Sequence, residues 1–123
     1  MIIRDLTDAE ELVMKAVWDL QKEPILSEIV EKVNNDYREV DWRPQTVSTF
    51  LSKLVQKKYL KMKRNGKVYT YKVLINEIAY KQKLYKHHID FWNNGNVIDF
   101  YVEMINNGDL TKNDIQNLKS HCK

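Results

Sequence analysis

The dipeptide Asn65-Gly66 separates two runs of alternating apolar and polar residues, Tyr59 to Arg64 and Lys67 to Val73. Asn-Gly in that setting is a strong hairpin signal, because a type I′ turn needs positive φ at both central residues. A two-residue loop there pairs Arg64 with Lys67, Met62 with Tyr69 and Leu60 with Tyr71, so that apolar meets apolar on one face. Lys63, Arg64 and Lys67 are then gathered at the tip. A lone two-stranded hairpin is marginal in water, so the segment before it decides what it can join.

That segment predicts a helix with two unlike faces. Pro44 suits a first helical position, where its missing N–H costs nothing. Turning Gln45 to Gln56 through 100° per residue puts Val47, Phe50, Leu51, Leu54 and Val55 on one arc. Gln45, Thr46, Ser48, Thr49, Ser52, Lys53 and Gln56 fill the other. The outward arc carries hydroxyls, amides and one lysine, without a carboxylate. Such groups can donate to phosphates and read base edges, which a carboxylate facing the backbone of a polyanion could not do. Arg43, at the helix entrance, is placed to help hold a phosphate at the positive end of the helix dipole. A polar-faced helix followed by a cation-tipped hairpin is the order a DNA-binding winged helix requires, with the helix in the major groove and the wing along the adjacent backbone.

The charge distribution points the same way. The 123-residue chain carries 20 basic and 17 acidic side chains, a net charge of only +3. Residues 42–76, however, hold nine basic side chains and no acidic one, whereas residues 1–41 hold five basic and eleven acidic. An acid-free stretch inside a chain that is 30% charged is the footprint of a surface that meets a polyanion. The same basic stretch leaves open a winged helix that binds an acidic protein partner instead of a specific DNA sequence.

The remaining elements read as helices. Thr7 to Glu10 forms a capping box ahead of a helix over Asp8 to Gln21, and a second helix fits Leu26 to Asn35. Asn76 caps a fourth helix reaching Asn93, Asn96 opens a fifth over Val97 to Ile105, and Thr111 caps a last one. Trp18 and Trp42, each beside helix-core positions, are expected to pack rather than stack on bases. The expected fold is mostly α with a small β-hairpin wing: a winged helix-turn-helix domain over 1–75 and three C-terminal helices over 76–123. Those last helices carry more apolar and aromatic surface than they can bury alone, so they either fold back over the N-terminal lobe or meet a second copy, and the second reading is favoured because a homodimer places two recognition helices on one face of a duplex.

Several function classes find no support. There is no glycine-rich phosphate loop, no nucleophile motif and no carboxylate pair, so neither an enzyme nor a cofactor is expected. The adjacent His87 and His88 point about 100° apart on a helix and lack further ligands at metal spacing. Cys122 is the only cysteine and reads as a free surface thiol. No run is apolar and long enough to cross a membrane, and the start lacks the order of a secretion signal, so a cytoplasmic protein is expected.

The runs TDAEELVMKAVWDL, WRPQTVSTFLSKLVQKKYL, GKVYTYKV and NVIDFYVEM together resemble the BlaI/MecI penicillinase-repressor family over nearly the whole chain. The Trp-x-Pro-x-Thr-Val-x-Thr start of the third helix is the most specific part. The resemblance implies a winged-helix N-terminal domain, a helical dimerisation domain and repression at inverted-repeat operators near TACA/TGTA. It also implies a membrane-bound sensor protease whose action leads to cleavage in the dimerisation domain at an Asn-Phe bond, aligned here with Asp99-Phe100. Gln45 and Ser48 stand where such repressors often carry basic residues, and Lys58 stands where a glycine is common after the third helix. The Cys-x-Cys pairs of the copper-responsive branch are absent.

Overall fold

The first helix, α1 (Asp8–Leu20), starts where its sequence says it should. The Thr7 hydroxyl accepts from the Glu10 N–H at 3.2 Å, and the Glu10 carboxylate accepts from the Thr7 N–H at 2.8 Å, so two orphan donors of the first turn are satisfied reciprocally. Gln21 closes the helix in the left-handed region. In this computed structural model, which describes residues 2–123, there follow α2 (Leu26–Asp36), α3 (Pro44–Gln56), β1 (Leu60–Asn65), β2 (Val68–Val73), α4 (Glu77–Trp92), α5 (Val97–Asn106) and α6 (Lys112–Lys119). The chain divides into two compact units, Met1–Lys81 and Gln82–Lys123.

The first unit is a three-helix bundle with a hairpin attached. Val13, Met14 and Val17 of α1, Ile29 and Val33 of α2, and Val47, Leu51 and Leu54 of α3 are fully buried in one core. Tyr59, Leu60, Tyr71, Ile75 and Tyr80 complete it from the far side. Trp18 packs at 5.6 Å from the Tyr80 ring and donates its indole N–H to the Ile75 carbonyl at 3.0 Å. Tyr80 donates its hydroxyl to Glu11, so the first turn of α4 belongs to this core. Burial and the nearby Asp5, Glu10 and Glu11 carboxylates push the Tyr59 phenol up to about 12, which keeps it protonated, and its hydroxyl donates a hydrogen bond to the Arg4 carbonyl.

The hairpin forms as expected, but its register differs. Asn65 pairs with Val68, Arg64 with Tyr69, Met62 with Tyr71 and Leu60 with Val73, not Arg64 with Lys67, Met62 with Tyr69 and Leu60 with Tyr71. The loop is Gly66-Lys67, and of these two only Gly66, at φ +70°, lies in the left-handed region. That is the requirement of a type II′ turn, which asks one residue for positive φ where type I′ asks two. Asn65 therefore stays extended, and Val73 enters the ladder opposite Leu60. The shift is two residues, so every side chain keeps the face it was assigned. Before α2, Ile25 bridges Thr70, and the Tyr71 N–H donates to the Pro24 carbonyl at 3.0 Å, tying the wing to the start of that helix.

α3 ends in a Schellman arrangement, with Tyr59 N–H on the Leu54 carbonyl and Lys58 N–H on that of Val55. It needs a left-handed residue, and Lys58 supplies it at φ +69°. A side chain with Cβ pays about 1–2 kcal/mol there that glycine does not. Lys58→Gly is expected to stabilise the unit by about 1 kcal/mol and raise its thermal midpoint by a few degrees. A lower midpoint would show that the lysine side chain contributes more than the strain removed.

The second unit contains the later part of α4 with α5 and α6. Asn96 caps α5 by accepting from the Ile98 and Asp99 N–H groups, and Thr111 with Asp114 forms a capping box for α6. Between them Gly108, at φ +82°, closes α5. Among its described residues only Ile89 and Asn93 are buried, while Phe91, Trp92 and Ile98 are each about two-thirds exposed.

Candidate nucleic-acid interface

The face-splitting of α3 is realised in three dimensions. Val47, Leu51 and Leu54 are buried, Phe50 and Val55 are half-buried, and Gln45, Thr46, Thr49, Ser52, Lys53 and Gln56 are exposed. Ser48 is half-exposed at the edge of the face. Arg43 is the N-cap, exposed, with extended backbone, and no side chain caps the helix behind it. The first-turn amides of α3 thus keep their positive potential available. Lys53 lies 5.8 Å from the Phe50 ring centre, an attraction that rests its stem along the helix.

Two of the hydroxyls are engaged. Thr49 donates to the Gln45 carbonyl at 3.0 Å and Ser52 to the Ser48 carbonyl at 3.1 Å. Their oxygens point acceptor lone pairs outward, and donation to a phosphate requires the hydroxyl to turn from its own helix. Periodicity alone does not reveal this, since it assigns a face without fixing a rotamer.

At the wing, Arg64 lies over the Tyr69 ring at 6.0 Å and donates to the Gly66 carbonyl at 3.1 Å. Lys63 meets Glu23 at 3.3 Å in an exposed pair, which is worth little in water. Lys67 sits in the loop, exposed. All ten expected contact residues therefore lie in the first unit, seven along α3 and its entrance and three at the wing tip.

The acid-free stretch is not one uniform surface. Lys57 is turned inward, its ammonium 2.6 Å from the Glu10 carboxylate and 2.8 Å from the Asp5 carbonyl. Burial pushes the Glu10 carboxyl up, but Lys57 and the Thr7 groups outweigh it and hold the group below its ordinary range. One of the nine cations thus fastens the end of α3 to the start of α1 and is withdrawn from the outward charge.

Asn34, near the end of α2, positions the entrance of α3. Its side-chain amide donates to the Trp42 carbonyl at 2.9 Å and accepts from the Trp42 N–H at 3.0 Å. Trp42 in turn packs 5.1 Å from Phe50. The pair fixes the chain immediately before Arg43, and so aims the entrance of α3. Nothing in the spacing of an asparagine at a helix end marks it as such a clamp.

In the second unit, Asp99 occupies the first turn of α5, its N–H held by Asn96. Phe100 is half-buried, edge-on to His88 at 5.1 Å. His87 stacks on Phe91. Among the described residues no three His, Cys, Asp or Glu side chains converge as metal ligands would, and no helix is long and apolar enough to cross a membrane.

Three packed helices, with the third presenting a polar face and a hairpin immediately after it, define a winged helix-turn-helix protein. The chain belongs to the penicillinase repressor family, whose model matches residues 6–123, a family of transcriptional repressors and not of enzymes. It is 25% identical over 116 residues to the methicillin resistance regulatory protein MecI of Staphylococcus aureus strain N315, covering 94% of this chain and 91% of that protein. It is 25% identical over 116 residues to the penicillinase repressor of Bacillus licheniformis, covering 94% of this chain and 88% of the relative. Among solved structures, the DNA-binding domain of the repressor BlaI aligns with a TM-score of 0.52 and 29% identity, covering 64% of this chain and 92% of that one. The monomeric form of Bacillus licheniformis BlaI in complex with the blaP half-operator aligns with the same values.

Proposed function

We propose that this protein is a homodimeric transcriptional repressor that binds inverted-repeat operator DNA, with Gln45, Thr46, Ser48, Thr49, Ser52 and Lys53 in the major groove, Arg43 on a phosphate at the helix entrance, and Lys63, Arg64 and Lys67 on the flanking backbone. The observation that carries the reading is the exposed, carboxylate-free face of α3 with a cationic hairpin directly after it. The solved half-operator complex of a relative supports the same partner. Dimerisation is supported by the second unit, which leaves Phe91, Trp92 and Ile98 largely exposed and gains by covering them with a second copy. Repression of this kind places the protein in the cytoplasm with the DNA.

The test is a titration of a TACA/TGTA inverted-repeat duplex and a scrambled duplex at two salt concentrations. Tighter binding to the repeat, by about a thousandfold or more, is the expected result. Equal affinity with a steep salt slope would leave general DNA binding only, and no binding to either would favour an acidic protein partner. Replacing Lys63, Arg64 and Lys67 by Ala is expected to weaken binding to both duplexes and reduce the slope of log K against log salt by about two to three. An unchanged slope would remove the wing from the interface.

Induction by a sensor protease belongs to the same reading. The Asp99-Phe100 bond lies within a helical turn, so cutting it requires local opening. Co-expression with the sensor should yield a fragment ending at Asp99 by intact mass, and an uncut chain would end this part of the proposal.

A further inference from the structure

Each of the three glycines follows an asparagine, as Asn65-Gly66, Asn94-Gly95 and Asn107-Gly108. In such a pair the glycine nitrogen can attack the asparagine side-chain amide and close a succinimide ring, because no Cβ obstructs the approach. The structure separates the three pairs by how free that nitrogen is. The Gly95 N–H donates to the Ile89 carbonyl at 3.0 Å, and the Gly108 N–H to the Ile105 carbonyl at 3.1 Å. The Asn107 side-chain amide is itself bound to the Asp109 carboxylate at 2.6 Å, and the Asp90 carboxylate stands beside Gly95. Both nitrogens are therefore held by acceptors next to a negative charge, which opposes loss of their protons.

Asn65-Gly66 is the opposite case. Gly66 is the first residue of the hairpin loop, so its N–H lies outside both the ladder and the turn's own hydrogen bond, and no acceptor among the described residues meets it. Nothing lies within 4 Å of the place a Cβ on Gly66 would take, and Asn65, Gly66 and Lys67 are all exposed. Lys63, Arg64 and Lys67 flank the pair along the chain, and Arg64 is fixed there by donating to the Gly66 carbonyl at 3.1 Å. Their positive charge stabilises the peptide anion that makes the attack.

We propose that Asn65 is a site of spontaneous deamidation by water, and that its product weakens the wing's hold on DNA; the second half rests on the DNA reading above. The Gly66 nitrogen loses its proton to solvent and bonds Asn65 Cγ, the Cγ–Nδ2 bond breaks, and the amide leaves as ammonia with a proton taken from water. Water then opens either C–N bond of the imide, and the Gly66 nitrogen regains a proton. The net reaction consumes water and yields ammonium and the carboxylate of aspartate or isoaspartate. That carboxylate is the first in residues 42–76, and it arises among the wing-tip cations, where it repels the phosphates they are meant to meet. Isoaspartate also adds a methylene to the main chain at the last rung of the ladder, Asn65 opposite Val68.

The experiment ages the full chain in mildly alkaline buffer, cuts it with chymotrypsin and reads amide against acid at each pair by mass spectrometry. Conversion is expected at Asn65 well ahead of Asn94 and Asn107, and faster as pH rises, because the deprotonated nitrogen is the nucleophile. Asn65 left intact while either other asparagine converts would overturn the site. The consequence is read on Asn65→Asp, by fluorescence anisotropy with a random-sequence duplex across a salt series. It should bind about tenfold more weakly at low salt, with the slope of log K against log salt smaller by about one. Asn65→Gln, whose longer side chain closes its ring far more slowly, should stay an amide through the same ageing and bind like the unaltered chain. If Asn65→Asp melts early, the aged chain separated by ion exchange supplies the same measurement. Unaltered protein that binds while the acid form binds equally well would overturn the consequence for DNA. Unaltered protein that binds no duplex would overturn the DNA reading, while the site at Asn65 stands or falls on the masses.

Discussion

A chain ending at Lys81 is expected to fold as a monomer and to bind an inverted-repeat duplex about a hundredfold or more weakly than the full chain. The cut is placed by the core. Ile75 and Tyr80 are buried in the first unit, and Tyr80 touches Trp18, Tyr59 and Glu11, so ending at Val73 would open the bundle and confuse loss of dimerisation with loss of fold. What the cut removes is the exposed apolar surface of α4, α5 and α6. In a dimer the second recognition helix acts at an effective concentration near the millimolar range, and that gain disappears when the two copies separate. Sedimentation of both chains at micromolar concentration, with gel-shift titration on the repeat and on a half-site, checks it. The half-site affinity should be nearly the same for both chains. A shortened chain that still sediments as a dimer would move the interface into the first unit.

The largest effect on stability is expected at Glu10. Its carboxylate is 2% exposed, caps α1 and holds Lys57. Glu10→Ala leaves an ammonium that is only 21% exposed without its partner and abolishes half of the capping box, at a cost of about 3 kcal/mol or more. Glu10→Gln keeps the shape and the cap acceptor, and should cost less. The pH dependence has a definite sign. The folded carboxyl sits below its ordinary value of 4.5, so the native state binds that proton more weakly than the unfolded chain does. The stabilisation is fully present above 4.5, and is lost as pH falls through the lower folded value. Urea melts of the unaltered protein between pH 3 and 7, about the range where this carboxyl titrates, should show stability dropping at the acid end. In Glu10→Gln that part of the drop should be missing; an identical profile would mean that other carboxylates produce it.

The residues of α3 show why so much of the candidate site was legible in advance. A helix that buries one side announces it at 3.6-residue intervals, and the side it does not bury is what remains. The caps Thr7, Asn96 and Thr111 and the Pro44 start are local as well, because each works through backbone groups within three residues. The hairpin was legible only to within its turn type. Asn65-Gly66 can fill a I′ loop and Gly66-Lys67 a II′ loop, and the choice between them depended on where Val73 and Tyr71 could be packed, which no window of a few residues contains.

The roles of Asn34 and Lys57 were not legible at all. Asn34 acts on a residue eight positions away, and Lys57 on one 47 positions away. By composition Lys57 is one more cation beside Lys58, yet one is drawn into the bundle and the other is exposed at the turn.

By itself the sequence determined which segments are helical, where the hairpin lies, which arc of α3 faces outward and that this arc carries no acid, because those properties arise from neighbours along the chain. Only the tertiary structure decided the register of the wing, the withdrawal of Lys57 onto Glu10 and the clamp that Asn34 places on Trp42. Each of these depends on groups distant in sequence meeting at hydrogen-bonding or van der Waals distance, and that meeting is settled by the packing of the whole core.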